Sequence, residues 1–150
     1  MSETDNGNIN NMEESAFRVY VVPLLLFVAT FVTTTIAGAF WVVSPSTGLE
    51  VSQIAEGLPY SLSILAILGF HEFGHFFASR YHNVKATFPY FIPFPTIAGM
   101  LNFGTMGAVI KTKSPIYSKK ALFDIGIAGP IAGFVISVIV LIYGFQNLPG

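Results

Sequence analysis

Three nearly unbroken apolar stretches, about 19–43, 59–79 and 121–145, alternate with segments that hold almost all of the charge. A helix rises about 1.5 Å per residue, so roughly 20 apolar residues cross some 30 Å of hydrocarbon, and each stretch is long enough to do so. The first carries no charge; its Thr30, Thr33, Thr34 and Thr35 can bond back to their own helix backbone. The second contains the string His71-Glu72-Phe73-Gly74-His75, and the third has Asp124 as its only charge. The segment from Tyr81 to Lys120 differs from all three. Pro89, Pro93 and Pro95 forbid a continuous helix, and Gly99, Gly104 and Gly107 interrupt it further. Residues 107–112 read as a short strand. Phe88, Tyr90, Phe91, Ile92 and Phe94 keep the segment apolar. Non-helical backbone at membrane depth survives only where protein covers it or where it lines a wet cavity, so a loop and hairpin dipping toward the second span is expected. The pattern predicts an all-α integral membrane protein with about three transmembrane helices and a small β-hairpin between the second and third.

Composition supports this pattern. Of 150 residues, 53% are hydrophobic and 10% charged, against about 25% charged in soluble domains. The net charge of −1 argues against a nucleic-acid partner. Cysteine is absent, so disulfides, thiolate metal sites and thiol nucleophiles are excluded, and a metal would need nitrogen and oxygen ligands. Residues 1–16 hold Glu3, Asp5, Glu13 and Glu14 without Lys or Arg, the opposite of a targeting peptide, and read as a disordered acidic tail. Arg18, Arg80, Lys85, Lys111, Lys113, Lys119 and Lys120 all fall on one side of a three-span arrangement, while 44–58 carries only Glu50 and Glu56. The positive-inside rule then predicts a cytoplasmic N-terminus, with the cell membrane as the expected location. In that arrangement His71 lies roughly 13 Å and His75 roughly 7 Å below the level of Arg80.

Two imidazoles four residues apart stack on one helix face and can reach one metal ion. In a soluble helix such a pair is as often two satisfied core histidines. Inside an apolar span, three ionisable groups are costly and read as functional. One zinc ion would take His71 and His75 as ligands, leaving a position for water, with Glu72 moving protons during attack on a peptide carbonyl. The remaining polar residues read more plainly. His82 is expected to be a solvated loop histidine. Asp124 is a helix-start carboxylate near Lys120, a contact to another span, or a metal-adjacent group, with a structural role favoured. Gly129 and Gly133 form a small-xxx-small pair, the usual signature of close helix packing. Pro130 implies a kink that frees a carbonyl near Gly126. Asn102 is a turn residue or a donor to an extended substrate.

The strings ILGFHEFGHFFASR, FPYFIPFP, GTMGAVIK and KKALFDIGIAGPIAGF, in this order over about 58–145, resemble the site-2 protease family of intramembrane zinc metalloproteases. The resemblance implies regulated cleavage of a substrate's transmembrane segment within the bilayer. It implies His71 and His75 as zinc ligands and Glu72 as catalytic acid/base, with residues 17–150 a partial transmembrane metalloprotease domain. It also implies that the 104–110 strand, with Gly104, Thr105, Met106 and Gly107 and the neighbouring Asn102, receives unwound substrate by β-augmentation. The family's third ligand is an aspartate in an Asp-Gly motif on a later span. No Asp-Gly occurs in these 150 residues, and Asp124 is followed by Ile125, so the sequence looks like the N-terminal part of a longer member. Prenyl-protein endopeptidases share the His-Glu-x-x-His pattern but not the GTMGAVI and GPIAG segments. A non-catalytic, partner-binding membrane module derived from the same family is the alternative outside enzymology.

Overall fold

The computed structural model describes residues 17–43, 50–95 and 103–147; the tail expected over 1–16 and the candidate Asn102 lie outside the described residues. Three long helices and one two-stranded antiparallel sheet follow one another in the expected order. A π-helical turn, Phe17–Val21, leads into α1, Val22–Val43, and a 3-10 turn, Val51–Gly57, leads into α2, Leu58–Tyr81. The hairpin strands β1, Tyr90–Pro93, and β2, Thr105–Val109, precede α3, Lys119–Gln146. The continuous helical units have 27, 31 and 28 residues, each long and apolar enough to cross a membrane. The second has the lowest mean hydropathy, 1.3 against 2.1 and 2.6, and is the one that carries the His-Glu-Phe-Gly-His string.

Local chemistry sets the helix ends. Pro59 sits in the first turn of α2, where its missing N–H removes no helical bond. Past Tyr81, Asn83 takes φ 56°, a left-handed conformation that stops the helix. Ser118 caps α3 by accepting from the Ala121 backbone N–H at 3.4 Å. Along α1 the threonine hydroxyls turn back onto the helix: Thr30 donates to the Leu26 carbonyl, Thr34 to Thr30 and Thr35 to Phe31, each at 2.7 Å. Thr30 and Thr34 are fully buried, and Thr34 Oγ1 also lies 2.7 Å from Ser61 Oγ on α2. Polar side chains that meet between helices in this way bind spans together where lipid supplies no hydrophobic drive.

The hairpin is held against α1. Tyr90 pairs with Val109, Phe91 with Ala108 and Pro93 with Thr105, with an irregularity between Phe91 and Pro93. The strand expected over 107–112 thus begins two residues earlier. Past Val109 the pairing lapses, and it resumes only at an isolated bridge between Ala86 and Thr112. Phe91 is buried and meets Phe27 of α1 edge-on at 5.1 Å. Two side chains pin the loop before β2: Thr33 donates to the Gly104 carbonyl at 2.6 Å, and the Tyr60 hydroxyl to that of Phe103 at 3.1 Å. Gly104 has φ +73°, and a Cβ there would stand 2.5 Å from Thr34 Cα. Only glycine fits both the conformation and the space. The most extensive helix contact is α2 against α3, and the candidate site lies along it.

Candidate metal centre

His71 and His75 project from one face of α2 toward α3. Their Nε2 atoms are 3.2 Å apart, with the ring planes at 74°. Two nitrogens bound to tetrahedral zinc at 2.0–2.1 Å stand about 3.4 Å apart, so this separation suits a single ion between them. The outer nitrogen of His75 is also fixed. Its Nδ1 lies 2.6 Å from the Ile125 carbonyl on α3. A carbonyl can only accept, so Nδ1 carries the proton and Nε2 keeps its lone pair, the form a metal ligand requires. A hydrogen bond between the two Nε2 atoms would need the His71 proton on Nε2. To join in ligating an ion, His71 must hold its proton at Nδ1 instead.

The room for these rings comes from α3. A Cβ at Gly129 would overlap the His75 imidazole, its Cε1 being 2.5 Å away, and a Cβ at Gly133 would stand 3.2 Å from His71 Cβ and Nδ1. The small-xxx-small pair therefore does more than bring two helices together: each glycine faces one imidazole. The small-residue spacing signals the close approach but not its purpose, because the i, i+4 repeat on α3 matches the His71–His75 repeat on α2 only once the helices are in register.

Glu72 is buried, and the backbone N–H of Ile110, just past β2, lies against its carboxylate. Glu72, His75, the end of β2 and the Leu122–Gly126 turn of α3 line a pocket of about 360 Å³. The pocket brings a carboxylate, an imidazole and strand backbone to one place. The other strand candidates divide. Met106 is 70% exposed, and Gly107 has φ +103° with open space around it. Thr105 instead donates to the Ile92 carbonyl at 2.9 Å, and the Gly104 carbonyl is taken by Thr33 and by the Phe94 N–H.

His82 is not the solvated loop residue expected from its place in the sequence. Its Nε2 lies 2.8 Å from Asp124 Oδ2, and its side chain is only 16% exposed. Asp124 accordingly makes the contact to another span that was one of its three expected readings. His82 follows His75 by seven residues, two helical turns, and so returns to the same face. Asp124 directly precedes Ile125. The two bonds from α2 to α3, His75 to Ile125 and His82 to Asp124, therefore fix the register in which the glycines meet the imidazoles. Between them Ser79 buries a hydroxyl that has no hydrogen-bond partner among the described residues. Among the described residues no group of three or more His, Asp or Glu side chains is placed to hold a metal ion. The described part of the site thus offers two nitrogen ligands.

Comparison with known proteins bears on this arrangement. The family model of Peptidase family M50 matches residues 59–148. The protein named "Probable zinc metalloprotease EGY1, chloroplastic" from Oryza sativa subsp. japonica is 41% identical over 93 residues, covering 62% of this chain and 15% of its own length. Its namesake from Arabidopsis thaliana is 38% identical over 94 residues, covering 63% and 16%. "Probable zinc metalloprotease EGY2, chloroplastic" from Oryza sativa subsp. indica is 31% identical over 100 residues, covering 67% and 17%. The chain thus spans about one sixth of the length of these curated relatives. No solved structure matches. Since the matched region takes in the histidine helix, the hairpin and the glycine-bearing helix together, this chain belongs to Peptidase family M50, the site-2 protease family.

Proposed function

We propose that this chain carries the histidine pair and the general acid/base of a zinc-dependent endopeptidase that cleaves transmembrane segments of membrane proteins. The observation that carries the reading is the convergence of His71 and His75 Nε2 at 3.2 Å, with the His75 tautomer fixed by the Ile125 carbonyl. Zinc, when bound, would act as a Lewis acid on the scissile carbonyl and on a water molecule. The two imidazoles would hold the ion. Glu72 takes the proton from the attacking water and returns it to the departing amine. Its burial beside the Ile110 N–H keeps its carboxylate at the pocket wall, within the groove that substrate would enter.

A peptide bond in a membrane helix is shielded by its own backbone hydrogen bonds, so the substrate must unwind before attack. β2 is the natural recipient. One edge pairs with β1, and among the described residues the other has no strand partner. Extended substrate bound along 106–110 would find backbone partners and lie beside Glu72. The family's third ligand, the aspartate of an Asp-Gly motif, would complete the coordination set begun by these two nitrogens. Residues 17–150 then form part of the transmembrane catalytic domain. The relatives are chloroplastic by name, whereas the charge pattern speaks to sidedness: the N-terminus lies on the side that bears the basic residues, the cytoplasmic side of a cell membrane.

The test is a pair of substitutions in the full-length protein with a membrane-span substrate. Glu72→Gln should retain near-stoichiometric zinc and lose cleavage, while His71→Ala should lose the zinc as well. Cleavage that persists in Glu72→Gln refutes the assignment. The two-ligand set among the described residues supports a second reading, a non-catalytic membrane module. That reading expects no metal in the full-length protein, with partner binding unaffected by either substitution.

A further inference from the structure

Two cavities outside the histidine site lie side by side and share three lining residues. The larger, about 460 Å³, lies between α1, α2 and the start of the hairpin, and its walls are apolar, with Leu24, Phe27, Leu65 and Phe73 among them. The smaller, about 260 Å³, is lined by Arg80, Lys113, Thr87 and Tyr90. Val19, Tyr20 and Phe88 line both, so the two adjoin and together outline a groove. Polarity changes along it in one direction. The apolar end follows α2 from Leu65, and the polar end reaches Arg80 in the helix's last turn. Fifteen residues of helix between these positions span about 22 Å. A bilayer of about 40–45 Å including headgroups has leaflets of about that thickness.

We propose that this groove binds one anionic phospholipid, its phosphate between Arg80 and Lys113 and an acyl chain along the apolar cleft between α1 and α2. Charge complementarity selects the headgroup. Among the described residues neither Arg80 nor Lys113 has a carboxylate partner. Tyr20, Thr87 and Tyr90 line the same end, and tyrosine favours the membrane interface. The length of the groove selects a lipid over a free anion, since phosphate alone would use only its polar end. The site is separate from Glu72 and the histidine pair, and its occupancy does not depend on whether the protein cleaves a substrate. A lipid here would brace α1 against α2 and the hairpin, the elements that carry and flank the catalytic groups.

The experiment is native mass spectrometry of the full-length protein released from nanodiscs containing equal amounts of phosphatidylglycerol and phosphatidylcholine. The parent protein should retain one phosphatidylglycerol in preference to phosphatidylcholine. The double variant Arg80→Gln/Lys113→Gln should lower that preference at least fivefold, and Lys119→Gln/Lys120→Gln, on the first turn of α3, should leave it within twofold. Ala66→Phe, which fills the apolar cleft, should lower retention of both lipids. Equal loss in the two lysine and arginine pairs would overturn the proposal in favour of diffuse attraction to a charged surface. Displacement of the lipid by millimolar inorganic phosphate would overturn it in favour of a free-anion site. Unchanged retention in Ala66→Phe, with slower cleavage of a membrane-span substrate, would assign the cleft to another helix.

Discussion

Substituting alanine at three glycines of α3 measures how closely the helix fits the histidine pair. At Gly129 the new Cβ would overlap the His75 ring, closest at Nε2, and even Cε1 would stand at 2.5 Å against 3.4 Å at the onset of ordinary contact, so ring or helix must give by more than about 0.9 Å. The His75 Nδ1 to Ile125 bond, 2.6 Å long, does not survive a displacement of that size. Its loss costs about 1 kcal/mol, and overpacking a tight interface adds about 1–3 kcal/mol. Loss of the partner that orients a metal-binding imidazole typically lowers metal affinity about 10–100-fold. At Gly133 the nearest His71 atoms stand at 3.2 Å and need give only about 0.2 Å, so a change below about threefold is expected. A Cβ at Gly126 meets nothing within 4 Å, and alanine there should leave the affinity unchanged while firming the helix by about 0.5–1 kcal/mol. The assay is cobalt titration of the solubilised protein followed by absorbance, with zinc as competitor, after size-exclusion chromatography has shown each variant to be monodisperse. If Gly129→Ala binds metal within twofold of the parent, or if all three variants weaken it equally, the cradle argument is wrong.

Removing the His82–Asp124 contact should destabilise the α2–α3 pair by about 1 kcal/mol, discounted for the partial exposure of Asp124; a double-mutant cycle of His82→Ala and Asp124→Ala should give a coupling energy of that order, and zero coupling would mean that the contact fixes nothing. Thr34→Val alone leaves Ser61 short of one partner and should cost about 1 kcal/mol, part of which the double change Thr34→Val/Ser61→Ala should restore in a thermal unfolding assay. Gly104→Ala forces a side chain into a left-handed backbone pressed on α1; it should lower stability by about 1–3 kcal/mol and open the hairpin to limited proteolysis ahead of the helices. Chelation of the full-length protein should stop cleavage, and zinc should restore it; activity that survives verified metal removal would refute the metal-dependent reading.

Much of this molecule could be read without coordinates, because the information is local. Uninterrupted apolar length marks the spans, and proline with glycine marks the departure from helix between Tyr81 and Lys120. The i, i+4 spacing places His71 and His75 on one face wherever that helix lies. The hairpin was legible as a strand-forming segment, but its register was not. The position of Gly104 against Thr33 and Thr34 sets it, and those residues lie some seventy positions away in the sequence. The surroundings of His82 are hidden from local sequence for a similar reason. A histidine just past a helix end looks solvated unless a carboxylate from another helix reaches it, and Asp124 is 42 residues distant.

The sequence by itself determined the solvent this chain folds in, the helices that meet it, and the paired imidazoles and carboxylate on the second helix. Those follow from hydrophobicity and helical periodicity, which act over a few turns of chain. The tertiary structure decided which nitrogen of His75 holds the proton, why α3 has glycine where it faces each imidazole, which strand end meets Glu72, and where an apolar cleft adjoins two cations. Each depends on the offset between two helices or between helix and hairpin, and only the packed structure fixes that offset.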